Sequence, residues 1–168
     1  MRNSSEVGVV LGCAAFSPCS YEEHHPDLYW YGVHGVEILF TIMGTGCESV
    51  RRIQTKDTEF VVGIWKDGRI GTYRGIRKGK SDYGALVYGT KGIVQSGRYG
   101  GYEPLVVEII RFFKTGQVPV PAKETTEIFA FMSAADESKA KDGEPVLISS
   151  VIEEAKRYNL LRRSKKDR

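Results

Sequence analysis

No strand pattern in this sequence runs into G-x-G-x-x-G, the spacing that lets backbone amides and a helix N-terminus hold a pyrophosphate, and Ser96-Gly97-Arg98-Tyr99-Gly100-Gly101 fails it. The chain alone is therefore expected to bind neither NAD nor NADP. Cysteine is scarce: Cys13, Cys19 and Cys47 are odd in number and irregularly spaced, which fits neither a disulfide framework nor a CxxC site and leaves them as reduced, mostly buried thiols. His24 and His25 follow Cys19 by five and six residues, but adjacent side chains rarely converge and no fourth ligand has suitable spacing, so no metal is expected. Long apolar runs are also missing. Nothing approaches the roughly 18 to 20 residues of a bilayer span, and MRNSSEVGVV lacks the layout of a secretory signal, so no membrane association and a cytoplasmic location are expected.

The charge is modest, and it is unevenly placed. The formal net charge is +3, yet Ala155 to Arg168 holds seven Lys or Arg and one Asp, a net +6, which leaves −3 for the remainder. Basicity confined to a terminal tail, without a positive stripe or base-stacking aromatics, makes a poor nucleic-acid footprint. What remains is ordinary globular material: 168 residues, 41% hydrophobic and 27% charged, enough for one domain with a real core. We read residues 1–154 as that domain and 155–168 as a basic tail.

The chain opens with a strand, Val7 to Phe16, stopped at Ser17-Pro18, and a loop from Cys19 to Asp27. Val36, Leu39, Phe40 and Met43 then fall at i, i+3, i+4 and i+7, the apolar stripe of a helix over Val33 to Met43, with Gly44 and Gly46 as its stop. Next come short runs rich in Val, Ile, Tyr and Thr broken by glycines: Ser49 to Lys56, Glu59 to Trp65, Arg69 to Ile76, Tyr83 to Tyr88 and Gly92 to Ser96. Asp67-Gly68 suits a tight hairpin. Leu105, Val106, Ile109, Ile110 and Phe113 predict a helix ending at Thr115-Gly116; VPVP is an extended linker; Thr125 to Lys141 is a helix placing Ile128, Met132 and Ala135 toward a core. An edge strand, Val146 to Ile148, and a helix, Ser149 to Leu161, close the chain. This order predicts an α+β fold, a two-layer α/β sandwich with helices on one face of a mostly antiparallel, open-faced sheet.

Chemistry-bearing residues concentrate between Leu28 and Cys47. His34, at the mouth of the first helix, can pass a proton to or from a substrate hydroxyl, although a histidine satisfied by backbone within apolar packing has the same pattern. Tyr29, Trp30 and Tyr31 offer an apolar face to a sugar or cyclic polyol, or else pack the entry to the helix. Glu37, one turn after His34, either orients the ring or is a first-turn acid favoured by the helix dipole. A second patch, QSGRYGGYE, sets Arg98, Tyr99 and Tyr102 among glycines that admit close approach to a ligand or merely turn the chain.

Three segments in order, GVHGVEILFTIMG (32–44), VYGTKGIVQS (87–96) and FFKTGQVPVPAKETTEIFAFMSAADESKAKDGEPVLI (112–148), resemble the C-terminal domain of the Gfo/Idh/MocA oxidoreductases. Gly32, His34, Glu37 and Met43-Gly44 stand where that family has Gly-x-His-x-x-Asp opening a helix that ends at Leu-x-Gly. The resemblance implies a substrate-binding and dimerisation domain of an NAD(P)-dependent oxidoreductase acting on a sugar or cyclic polyol. It implies that His34 helps to deprotonate the substrate hydroxyl while hydride leaves for nicotinamide, and that the open sheet face packs against another subunit. Two departures stand out. The family's Glu-Lys-Pro motif is absent, and Trp30 occupies the place, four before His34, where members commonly carry an acid. A chain of this kind is expected to need a Rossmann-domain partner and to be inactive alone; the alternative is a noncatalytic sugar-binding or scaffolding module.

Overall fold

The computed structural model describes residues 5–96 and 100–166. In chain order these form β1 (Val10–Pro18), a 3-10 turn (Asp27–Tyr29), α1 (Gly32–Met43), β2 (Cys47–Thr55), β3 (Thr58–Trp65), β4 (Ile70–Ile76), β5 (Gly84–Gly89), β6 (Ile93–Gln95), α2 (Glu103–Thr115), α3 (Ala122–Ala140), β7 (Val146–Leu147) and α4 (Ile148–Lys166). The strands make one open sheet in the order β6-β5-β1-β4-β3-β2-β7. Every pairing is antiparallel except β1 with β4, whose parallel register runs from Gly12↔Ile70 to Pro18↔Ile76. The α+β class with a mostly antiparallel sheet is thus the observed one.

Alternation along the strands decides which side is covered. Cys13, Ala15 and Ser17 of β1, Tyr73 of β4, Val61 and Trp65 of β3 and Val50 and Arg52 of β2 are all buried on one side, beneath α1 and α3. Phe40 of α1 meets Trp65 at 5.7 Å and Phe131 of α3 edge-on at 5.6 Å. Each such ring fully removed from water stabilises the fold by roughly 1.5–3 kcal/mol. Trp65 is a core residue, and its indole N–H donates to the Gly44 carbonyl at 2.9 Å.

The expected stripe of α1 is real: Val36, Leu39, Phe40 and Met43 are buried, and Gly44, at φ 78°, returns its N–H to the Phe40 carbonyl to end the helix. The Gly35 edge of this buried side lies almost on the sheet. A Cβ on Gly35 would sit 2.2 Å from the Tyr73 ring and 2.7 Å from Ser17 Oγ, so only glycine permits this approach. Ser17 Oγ and Tyr73 OH are hydrogen-bonded at 3.1 Å under it.

Several boundaries differ from expectation. β1 begins at Val10 and includes Pro18, and the segment read as loop ends in the 3-10 turn. α3 begins three residues earlier, behind Pro121, while α4 starts at Ile148 and continues past Leu161 to Lys166. The larger difference is α2. Its expected apolar stripe is present, but none of its residues is buried.

Candidate functional site

A cluster of six charged side chains fixes the segment that carries the site. Arg52, fully buried, points inward from β2 and donates through Nε to Glu59 at 2.8 Å, through NH1 to Asp136 at 2.5 Å and through NH2 to Asp27 at 2.5 Å. Arg77, just past β4, bonds Asp27 and Glu59 and donates to the Cys19 carbonyl at 2.7 Å, and Lys139 of α3 reaches Asp27 at 2.7 Å. The Tyr21 ring lies over the Arg77 guanidinium, 3.4 Å from ring centroid to carbon. Three cations face three carboxylates, so the interior carries no net charge from this group. Burial opposes ionisation of Asp27, but the Lys139 hydrogen bond, the charge of Arg52 and the bonds from both arginines outweigh it and hold the carboxyl down at about 2. Burial raises Asp136 against the same arginine.

From Asp27 the chain passes directly through the expected aromatic run. Leu28 is buried, anchoring the turn. Tyr29 points toward α3: its hydroxyl contacts Ser133 Oγ at 2.5 Å and donates to the Phe129 carbonyl at 3.1 Å, with the rings 5.6 Å apart. Trp30 and Tyr31 turn outward, and the two rings meet edge-on at 5.6 Å. His25 stacks on Trp30 at 4.6 Å. Tyr31 then caps α1 and faces the His34 ring at 6.2 Å.

The His34 side chain is 51% exposed and its Nδ1 lies 3.1 Å from Glu37 Oε2. A carboxylate only accepts, so this contact places Nδ1 to donate to Glu37 and leaves Nε2 as the ring nitrogen outside it. Tyr83, preceding β5, closes the far side with its ring 6.0 Å from His34. The structure therefore gathers Trp30, Tyr31, His34 and Glu37 on one open surface and turns Tyr29 to a supporting position behind it. Arg98 and Tyr99 lie outside the described residues. Tyr83 and the ion cluster were not singled out in the sequence: the first stands in a polar connection forty-nine residues from His34, and the second assembles from charges scattered along the chain.

Among the described residues, the start of α1 does not form a cradle for a nicotinamide dinucleotide. Gly32 and Gly35, which open α1, face Cys19, Ser17 and Tyr73 rather than solvent, and the link from β1 to α1 is a 3-10 turn rather than a glycine loop. Among the described residues no three His, Cys, Asp or Glu side chains are grouped to hold a metal ion, and no helix is long and apolar enough to cross a membrane.

No protein-family model and no curated protein matches the sequence. Solved structures do. Scyllo-inositol dehydrogenase from Lactobacillus casei, with bound NAD(H) and scyllo-inositol, superposes with a TM-score of 0.68 at 11% identity over 85% of this chain and 58% of that one. Myo-inositol 2-dehydrogenase from Lactobacillus plantarum gives 0.69 at 13% identity over 84% and 57%. A putative NADPH-dependent oxidoreductase from Desulfitobacterium hafniense gives 0.68 at 16% over 88% and 59%. The fold is that of the C-terminal domain of Gfo/Idh/MocA-type dehydrogenases. This chain spans less than two thirds of each of these neighbours.

Proposed function

We propose that this chain is the substrate-binding part of an NAD(P)-dependent oxidoreductase acting on a sugar or cyclic polyol in the cytoplasm. The observation that carries this reading is the half-exposed His34, oriented by Glu37, beside the outward faces of Trp30, Tyr31 and Tyr83. A polyol ring presents a C–H face and a hydroxyl rim. The aromatic rings take the apolar face, and His34 Nε2 removes a proton from the hydroxyl being oxidised. Glu37 holds the tautomer that makes Nε2 the base. Oxidation also requires a hydride acceptor, which a Rossmann domain on this polypeptide or another would carry. In the same reading, the open sheet face pairs two copies of the chain.

A noncatalytic sugar-binding or scaffolding module is favoured by one feature. Trp30 stands where the resemblance expects an acid, and an indole N–H cannot accept a proton, so the relay through that position has no member here.

Titration with myo-inositol, followed by tryptophan fluorescence, tests the binding reading, because Trp30 is exposed and Trp65 is buried. We expect a saturable change that is absent in Trp30→Ala, and no saturable response to NADH. Failure of the polyol to bind, or a response that survives in Trp30→Ala, sinks the assignment of this surface; tight NADH binding by the chain alone sinks the assignment of the cofactor to another domain.

A further inference from the structure

α2 is a thirteen-residue helix whose entire apolar side is in water. Leu105, Val106, Ile109, Ile110, Phe112 and Phe113 lie on one arc of it, with exposures between 39% at Phe112 and 80% at Phe113. A helix this short has marginal stability on its own in water, and a stripe this wide is expected to be covered. No described residue buries it. The same chain carries an apolar cleft of about 430 Å³ between α3 and α4, lined by Phe129, Ala130, Val151 and Ile152. Residues 116–121, GQVPVP, lead from α2 to α3; the expected extended link is bent at Pro119 and Val120, and only Pro121, the N-cap of α3, is extended.

The charges on α2 indicate what does cover it. Glu103 and Lys114 are eleven residues apart, which is three helical turns plus about 20° and roughly 16 Å along the axis. They therefore border the same edge of the apolar arc, beside Ile110, one near each end. Glu108 and Arg111 pair with each other, at 3.7 Å. In an antiparallel, two-fold pair of such helices, like edges meet. Glu103 of each copy then faces Lys114 of the other, and the apolar arcs close between the two ion pairs with the helix dipoles opposed.

We propose that α2 is a self-association surface, pairing antiparallel with α2 of a second copy about a two-fold axis that passes between Glu108 and Ile109. This interface is separate from the open sheet face and does not depend on the sheet pairing. Glu103 at one end and Lys114 at the other fix the register, and Ile109 sits next to the axis.

Mass measured by light scattering or native mass spectrometry across a concentration series tests this. Lys114→Glu sets two carboxylates against each other at both ends, and the midpoint of dissociation is expected to rise by about tenfold or more. The double variant Glu103→Lys with Lys114→Glu reverses both partners and is expected to restore it. Ile109→Asp is expected to halve the mass, with the circular dichroism of the sheet retained. Ile109→Cys, mildly oxidised, is expected to give a disulfide-linked pair of chains. Mass unchanged by Ile109→Asp, failure of the double reversal to restore association, or an Ile109→Cys variant that stays single because α2 folds into its own α3–α4 cleft, overturns the proposal. A sheet-face variant that alters mass while the α2 variants do not separates the two interfaces.

Discussion

Arg52 is the centre of the site's supporting framework, because Asp27, Glu59 and Asp136 all terminate on its guanidinium and Arg77 and Lys139 share those carboxylates. Removing Arg52 would leave three carboxylates without the cation they share, at a cost of roughly 3–5 kcal/mol. Asp27 is the member joined to the aromatic run, and its ionisation carries a pH signature. Its carboxyl is held at about 2 against an ordinary 3.8, so its contribution is present above about pH 4 and is lost as the pH falls through about 2. The expected outcome for Asp27→Asn is a loss of roughly 2 kcal/mol of unfolding free energy at pH 7. That loss narrows on acidification and disappears near pH 2. Asp136 titrates with the opposite sign, raised first by burial and in part by the charge of Asp27, so Asp27→Asn relieves part of that rise and the comparison reports the two carboxyls together. Urea unfolding of both at pH 7, 4 and 2 measures this; a gap independent of pH removes Asp27 from the role. Little of the cluster was legible in advance. Alternation does place Arg52 beside Val50 on the covered side, yet its partners lie 25, 7 and 84 residues away, and only the tertiary fold brings them together.

At the scale of elements, local pattern was most informative where a single stripe had a single neighbour. The i, i+3, i+4, i+7 spacing located α1, Asp67-Gly68 located the β3–β4 hairpin, and Ile128, Met132 and Ala135 are buried under α3 as their spacing implied. Periodicity reports which residues share a face and is silent about what lies against it, which is why α2 was readable as a helix and its lack of packing was not. The parallel β1–β4 pair was equally hidden, since it joins strands separated by α1 and a hairpin. Gly35 bears on the site because it sets how close the His34 turn lies to the sheet. A methyl there would stand 2.2 Å from the Tyr73 ring and 2.7 Å from Ser17 Oγ, both buried. Gly35→Ala is therefore expected to destabilise the fold by about 1–3 kcal/mol through overpacking, even though alanine favours the helix itself by about 1 kcal/mol. Denaturant unfolding decides the sign. A stabilised variant would mean that α1 lifts off the sheet freely and that the position of His34 is loosely held.

For the whole molecule, the covered and uncovered sides of the sheet are chemically alike where they need not be. One register row crosses all seven strands on the open face: Leu147, Ser49, Ile64, Ile70, Gly12, Tyr88 and Ile93. Five of these are large apolar side chains, and all five are exposed. An apolar band across an open sheet, interrupted here only by Ser49 and Gly12, is the kind of surface that interactions use, and it is the face proposed above to pair two copies. Ile70 sits at the middle of the row, on a central strand, so a charge there faces its own image or its neighbours when two such faces pair about a two-fold axis lying in the plane between them. Ile70→Lys is expected to leave folding intact, because the residue is already half in water, and to reduce the mass of the assembly by half. Sedimentation velocity on Ile70→Lys, alone and combined with Ile109→Asp, separates the two surfaces: a monomer only in the combined variant requires both, whereas a wild-type mass in Ile70→Lys leaves the sheet face without a role in association.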